Sequence, residues 1–278
     1  MNISFDALIT ETGLEQQNLN WTADLPYLIR DYSINTFYNS RSLLDQKVEA
    51  RIDDYVTKYN GFGIEYDDYT LKSIEALKLG EEFRPMSRGM GKLFYADDEV
   101  IESSEFFKSN YFLNKDATKE KFLQNKNDID ILHIVAHGYI LRDDPMNSGI
   151  IFSKRKGKDN FILTASEIYG HEFNSDLVIL SSCHSGDGKL DRGEGIRSLA
   201  RAFQYAGCEN ITASLWQAPD LSTKEIIVSF LDFISQGYTK DVALQKAKLY
   251  YLDNKAFKKD LLPCQWAHMV SIGAVRAF

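Results

Sequence analysis

Two short apolar runs, each ending in small and reactive residues, constrain this chain more than anything else in it. The first is Ile129-Asp130-Ile131-Leu132-His133-Ile134-Val135-Ala136-His137-Gly138. The second is Asp176-Leu177-Val178-Ile179-Leu180-Ser181-Ser182-Cys183-His184-Ser185-Gly186. Both are rich in Leu and β-branched residues and too short for a buried helix of ordinary length. They read as central strands of a parallel sheet, buried on both faces. Downstream, Ile196, Leu199, Ala200, Phe203 and Ala206 recur at helical spacing and Gly207 stops the helix. A strand over Asn210 to Trp216 follows. Then come a helix with Ile226, Ile227, Phe230, Leu231 and Ile234 on one face, a helix from Lys240 to about Leu252, and a strand over Trp266 to Ile272. Strands alternating with helices predict an α/β fold with a mostly parallel sheet and right-handed crossovers. Sites in such sheets lie beyond the carboxyl ends of the strands, where His137 and Cys183 stand.

Between the two runs, Ser148 to Ser153 and Asn160 to Leu163 predict a hairpin whose tip, Lys154-Arg155-Lys156-Gly157-Lys158, is a solvated basic turn. Thr164 and Glu167 form a capping-box signal for a short helix. In the first 120 residues, Tyr27 to Tyr38 reads as one or two strands, Arg41 to Tyr59 as a helix, and Asn60 to Tyr66 as a strand running into an acidic loop. Thr70 to Gly91 reads as a polar excursion, Asp97 to Tyr111 as a helix, and Ala117 to Gln124 as a short helix.

Composition removes other classes. With 13% aromatic and 44% hydrophobic residues, the 278-residue chain is globular rather than disordered. Three cysteines are too few for a disulfide scaffold. No apolar run approaches the roughly 20 residues that span a bilayer, and the start MNISFDALITE has neither the basic nor the apolar region of a signal peptide. A net charge of −8 argues against a broad nucleic-acid-binding surface. The expectation is a cytoplasmic protein with no membrane or direct nucleic-acid partner. The position six after Cys183 is Lys189, not the Arg of a cysteine phosphatase. Cys183 and Leu190 break a P-loop pattern, and there is no Cys-x-x-Cys, His-Glu-x-x-His or dinucleotide fingerprint. His133 lies four strand residues from His137, about 13 Å away, so the two do not form a metal pair. Neither a metal nor a cofactor is expected.

Thiol catalysis needs a thiolate nucleophile, a base and donors for the oxyanion. His137 and Cys183 supply the first two if their strands are neighbours, and the backbone N–H groups of Gly138 and Cys183 could form the oxyanion hole. Gly186 and Gly188 let the following loop turn tightly. Taken singly, each residue has a plainer alternative. Cys183 fits a buried core cysteine, and His137 fits a satisfied polar residue. Cys208, Cys264, His171 and His268 read as structural, and His133 reads as a packing or supporting residue.

Together the motifs resemble the CHAT domain, a caspase-like module of clan CD cysteine peptidases related to caspases, separases and clostripain-type enzymes. The resemblance rests on Ile131 to Gly138, on Leu180 to Gly186, on Gly193-Glu194-Gly195 and the helix it leads, on Ala213 to Thr223, and on Gln265-Trp266-Ala267. Tyr27 to Ser40, Gly61 to Tyr69 and Tyr95 to Phe107 also fit, so nearly the whole chain is covered. The resemblance implies a caspase-like fold with helices on both faces of the sheet. It also implies a cysteine endopeptidase in which Cys183 is the nucleophile and His137 the acid/base. Asp220 would hold a basic P1 side chain, with Ser182 on the substrate-binding side, so cleavage is expected after Arg or Lys. Asp220 also fits a simple cap of the helix that follows it. The expected partners are a protein substrate and a TPR-type or other regulatory protein, in bacterial signalling or defence. The alternative is a latent or inactive scaffold that keeps the fold and signals by binding. Residues 1–278 read as a single such domain, with a divergent half over 1–120 and a catalytic half over 121–278. The family usually has a strand and turn before the segment matched by Ile3 to Ile9, so a missing strand or a preceding repeat region is expected.

Overall fold

The computed structural model describes residues 4–8, 25–37, 56–77, 90–141, 143–158, 160–181, 194–216, 218–255 and 257–278. Their strands are β1 (Asn35–Thr36), β2 (Lys58–Gly63), β3 (Lys108–Leu113), β4 (Ile131–Val135), β5 (Gly138–Tyr139), β6 (Gly149–Ile151), β7 (Ile162–Thr164), β8 (Leu177–Leu180), β9 (Asn210–Ser214) and β10 (Met269–Gly273). Their helices are α1 (Asp68–Glu75), α2 (Ala96–Ser104), α3 (Lys119–Gln124), α4 (Ala165–Tyr169), α5 (Glu194–Tyr205), α6 (Asp220–Ser235), α7 (Lys240–Asp253) and α8 (Pro263–Trp266).

The main sheet has the order β1-β10-β9-β8-β4-β2-β3, and every neighbouring pair is parallel except β10 against β9. The two apolar runs become β4 and β8, adjacent strands at its centre and buried along their whole length. Alternation sends their side chains to opposite faces. Leu132, Ile134, Val178 and Leu180 join Phe62, Phe122 and Phe203 in one core, whereas Ile131, Leu177 and Ile179 join Tyr59 and the apolar sides of α6 and α7 in the other. Two apolar faces need two helical layers, which is why a buried parallel sheet is covered on both sides. β5, β6 and β7 form a small antiparallel sheet that starts where β4 ends. A buried ion pair ties the N-terminal turn to this frame. Asp6 meets the Lys248 ammonium of α7, which also donates to the Met269 carbonyl of β10 at 2.5 Å.

The hairpin, the Thr164–Glu167 capping box and the stop at Gly207, with φ at 112°, match the sequence reading. The first 120 residues depart from it. Tyr27 to Tyr38 holds a 3-10 turn over Leu28–Arg30 and only a two-residue strand; Tyr27 and Ile29 serve as core plugs, whereas Tyr32 is exposed. Residues 41–55 of the expected helix lie outside the described residues, and its end, from Lys58, is strand β2. The expected polar excursion from Thr70 instead begins inside α1, started by an Asp67 side chain that accepts the Thr70 N–H at 2.7 Å and anchored by buried Ile74, and its residues 78–89 lie outside the described residues. The expected helix to Tyr111 stops at Ser104. Lys108–Leu113 leaves it to pair with β2 as a half-exposed edge strand, where backbone pairing rather than an apolar pattern decides the conformation.

Candidate active site

The chain leaves β4 through Ala136 and His137 and enters β5 at Gly138, so His137 stands at the corner between the two sheets. Its backbone is fixed on both sides. The His137 carbonyl accepts the Ile151 N–H at 2.8 Å. The His137 N–H donates to the Tyr66 hydroxyl at 2.7 Å, and that hydroxyl donates to the Ile151 carbonyl at 2.5 Å. The Tyr66 hydroxyl thus relays a bond that a regular antiparallel pair would make directly. By the alternation of such ladders, the neighbouring Gly138–Ile150 pair is the one whose N–H groups point away from the partner strand.

The ring of His137 is fixed as well. It stacks on Tyr66 with centroids 4.7 Å apart, and Nε2 lies 2.8 Å from the Gly91 carbonyl. A carbonyl can only accept, so this contact places the proton of the neutral ring on Nε2 and leaves Nδ1 as the basic nitrogen.

β8 runs parallel to β4, and the Ser181 N–H carries the ladder one residue further by donating to the Ile134 carbonyl at 3.2 Å. Ser182 and Cys183 follow directly in the sequence, but both lie outside the described residues, as do His184, Gly186 and Gly188.

Asp220 is the first residue of α6, after the end of β9. Pro219 occupies the cap position and no side chain caps the helix. Asp220 instead accepts the backbone N–H of Phe94. Burial pushes its carboxyl above the ordinary range; the Phe94 contact opposes that shift and nearby Glu99 adds to it. The stretch 90–95 therefore touches two of the expected site residues, His137 through Gly91 and Asp220 through Phe94.

His133, expected as a supporting residue, is fully buried. Its Nδ1 meets the Tyr59 hydroxyl at 2.8 Å and its Nε2 meets Glu99 Oε1 at 2.9 Å. Sequence reasoning missed Tyr66, Gly91 and Glu99. Tyr66 and Gly91 are recognisable only from contacts made across the fold. Glu99 had a signal, because Ala96, Val100 and Ser103 share its helical stripe and are all buried.

A family model described as the CHAT domain matches residues 3–274. Tetratricopeptide repeat protein 28 of Homo sapiens is 28% identical over 131 residues, 47% of this chain and 5% of that protein. Its Mus musculus counterpart is 28% identical over 113 residues, 41% of this chain and 4% of that protein. The chain spans about a twentieth of the length of these curated relatives. Among solved structures, a chain of the Saccharomyces cerevisiae separase–securin complex is similar with a TM-score of 0.48 and 12% identity, covering 94% of this chain and 15% of that one. The Arg-specific cysteine proteinase gingipain R is similar with a TM-score of 0.47 and 9% identity, covering 86% of this chain and 51% of that one.

Proposed function

The chain belongs to the CHAT domain family, and from that membership and the setting of His137 we propose that it is a cysteine endopeptidase cleaving a protein partner after Arg or Lys. The supporting observation is that His137 is held in one tautomer, at the exit of a strand hydrogen-bonded to the strand that leads to Cys183. In this reading the Cys183 sulfur attacks the scissile carbonyl and the S–C bond forms. The developing oxyanion takes up the N–H groups of Gly138 and Cys183. The C–N bond then breaks, and the thiol proton reaches the leaving amine through Nδ1 of His137. Water, deprotonated by the same nitrogen, hydrolyses the thioester and returns the proton to sulfur. Asp220 receives the basic P1 side chain, with Ser182 beside it. A carboxylate already held by the Phe94 N–H is oriented before a guanidinium arrives. A regulatory protein, of the repeat type that the tetratricopeptide relatives carry in their name, would control access to the site.

A positional-scanning peptide library tests both levels. Turnover after Arg and Lys should disappear in Cys183→Ala and His137→Ala. Asp220→Asn should lose most of the preference for a basic P1 residue while retaining the nucleophile. Undiminished cleavage by Cys183→Ala overturns the enzyme, and cleavage only after Asp overturns the pocket. Failure of a thiol-reactive basic peptide to label Cys183, alone or with partners, would favour a non-catalytic scaffold.

A further inference from the structure

Between α2 and the main sheet lies a polar group in an otherwise apolar contact. Glu99 is 2% exposed and His133 0%, and the Tyr59 hydroxyl on β2 completes a chain of short contacts from carboxylate to imidazole to phenol. Apolar side chains of similar volume would hold a helix to a sheet as well or better, because burying polar groups carries a desolvation penalty. What directed polar contacts add is registration, since they are satisfied at one position of the helix only.

That registration bears on the site. Gly61 and Gly63 let α2 come close, since a Cβ at Gly61 would stand 2.5 Å from Val100 Cγ1 and one at Gly63 would stand 2.8 Å from the Ala96 carbonyl oxygen. Gly61 is the register partner of His133. The Glu99 N–H donates to the Tyr95 carbonyl at 2.9 Å, and Met90 and Leu93 are buried, so the stretch before the helix follows the helix. From that stretch come the Gly91 carbonyl on His137 and the Phe94 N–H on Asp220. The contacts close a ring: β4 carries His133, His133 holds Glu99, α2 is preceded by the stretch that contains Gly91, and Gly91 holds His137 just past the end of β4.

Resting on the peptidase reading above, we propose that Tyr59, His133 and Glu99 are positioning residues of the site. They set the stretch 90–95 against β4 and thereby fix the His137 ring and the Asp220 carboxylate. None of the three touches substrate. They act by placing the groups that do.

Three variants test this: Glu99→Gln, Tyr59→Phe, and an apolar triple variant combining Tyr59→Phe, His133→Leu and Glu99→Leu. The first readout is the ¹⁵N spectrum of the His137 ring, which reports its tautomer without any substrate. The second is kcat and KM on a peptide with P1 Arg. The triple variant should melt no lower than wild type, yet its His137 ring should lose the single Nε2-protonated form and kcat should fall about 10- to 100-fold. Its preference for Arg over a neutral P1 residue should fall as well. Glu99→Gln should show the same spectral change in smaller measure. A folded triple variant with an unchanged His137 spectrum overturns the proposal. So does failure of all three variants to fold, which would make the group merely structural. If wild-type protein cleaves no peptide, the peptidase reading fails, while the ring spectrum still decides whether these residues position His137.

Discussion

Tyr66 is held in a conformation its side chain disfavours. Its φ of 60° lies in the left-handed region, where a bulky non-glycine residue costs on the order of 1–3 kcal/mol. The surrounding contacts over-determine it: one hydroxyl serves both the His137 N–H and the Ile151 carbonyl, and the ring covers the His137 imidazole. Burial drives its phenol pKa far above the ordinary value, so the group stays a donor at any physiological pH. Tyr66→Phe keeps the stacking but leaves a buried N–H and a buried carbonyl without this partner. It should lower unfolding stability by about 1–3 kcal/mol. Peptide turnover should fall with it, because the corner that carries His137 loses its inner brace. Urea unfolding alongside peptide hydrolysis checks this; unchanged values in both would show the hydroxyl to be dispensable.

At the scale of elements, the close approach of α2 to β2 depends on two glycines that a strand would otherwise disfavour. In Gly61→Ala the added methyl would meet Val100 Cγ1 at 2.5 Å and the Tyr59 hydroxyl at 2.7 Å, so these side chains, and the helix that carries Val100, must give way. The expected cost is about 1–3 kcal/mol from overpacking. Because the stretch 90–95 moves with α2, the change should reduce turnover further than its loss of stability would explain, which paired thermal melts and kinetics would detect. The sequence carried no hint of this contact, for the same reason that it hid β3. Both are settled by what lies across the space from them: β3 has no periodic apolar pattern, and the short stripe of α2 does not say which strand it meets. β4, β8, α6 and the capped turn of α4 were legible because burial on two faces, a 3.6-residue stripe and a local capping box each leave a mark in the chain itself. The same division runs through the site. His137 and Asp220 could be named from motif and resemblance, whereas Tyr66, Gly91 and Glu99 belong to the fold that aims them.

At the scale of the whole molecule, folding places the His268 imidazole where burial opposes its charging. His268 is fully buried at the junction of β9, α6 and β10. Its Nε2 is 3.2 Å from Thr223 Oγ1, its carbonyl accepts the Leu215 N–H, and its ring lies edge-on to Trp216. Burial, reinforced by the nearby Lys248 ammonium, pushes its pKa down to about 3. The unfolded chain protonates this residue near 6.5, so between those values the unfolded state binds more protons than the native state. The stability associated with a neutral His268 is therefore complete above about pH 6.5 and is lost progressively as the pH falls toward 3. Each pH unit in that window costs about 1.4 kcal/mol, or roughly 3 kcal/mol between pH 6.5 and 4. Other groups act in the opposite direction. The carboxyls of Asp97, Asp176 and Asp220 are raised by burial, and acid also relieves the self-repulsion of a chain with net charge −8. A comparison with His268→Gln cancels those contributions, because both proteins share them. Whatever Gln costs at neutral pH, the difference in unfolding free energy between the two should shift by about 3 kcal/mol in favour of the variant as the pH falls from 6.5 to 4. Urea titrations of both proteins across that range measure the shift directly, and parallel stability curves would mean that His268 becomes charged inside the folded protein.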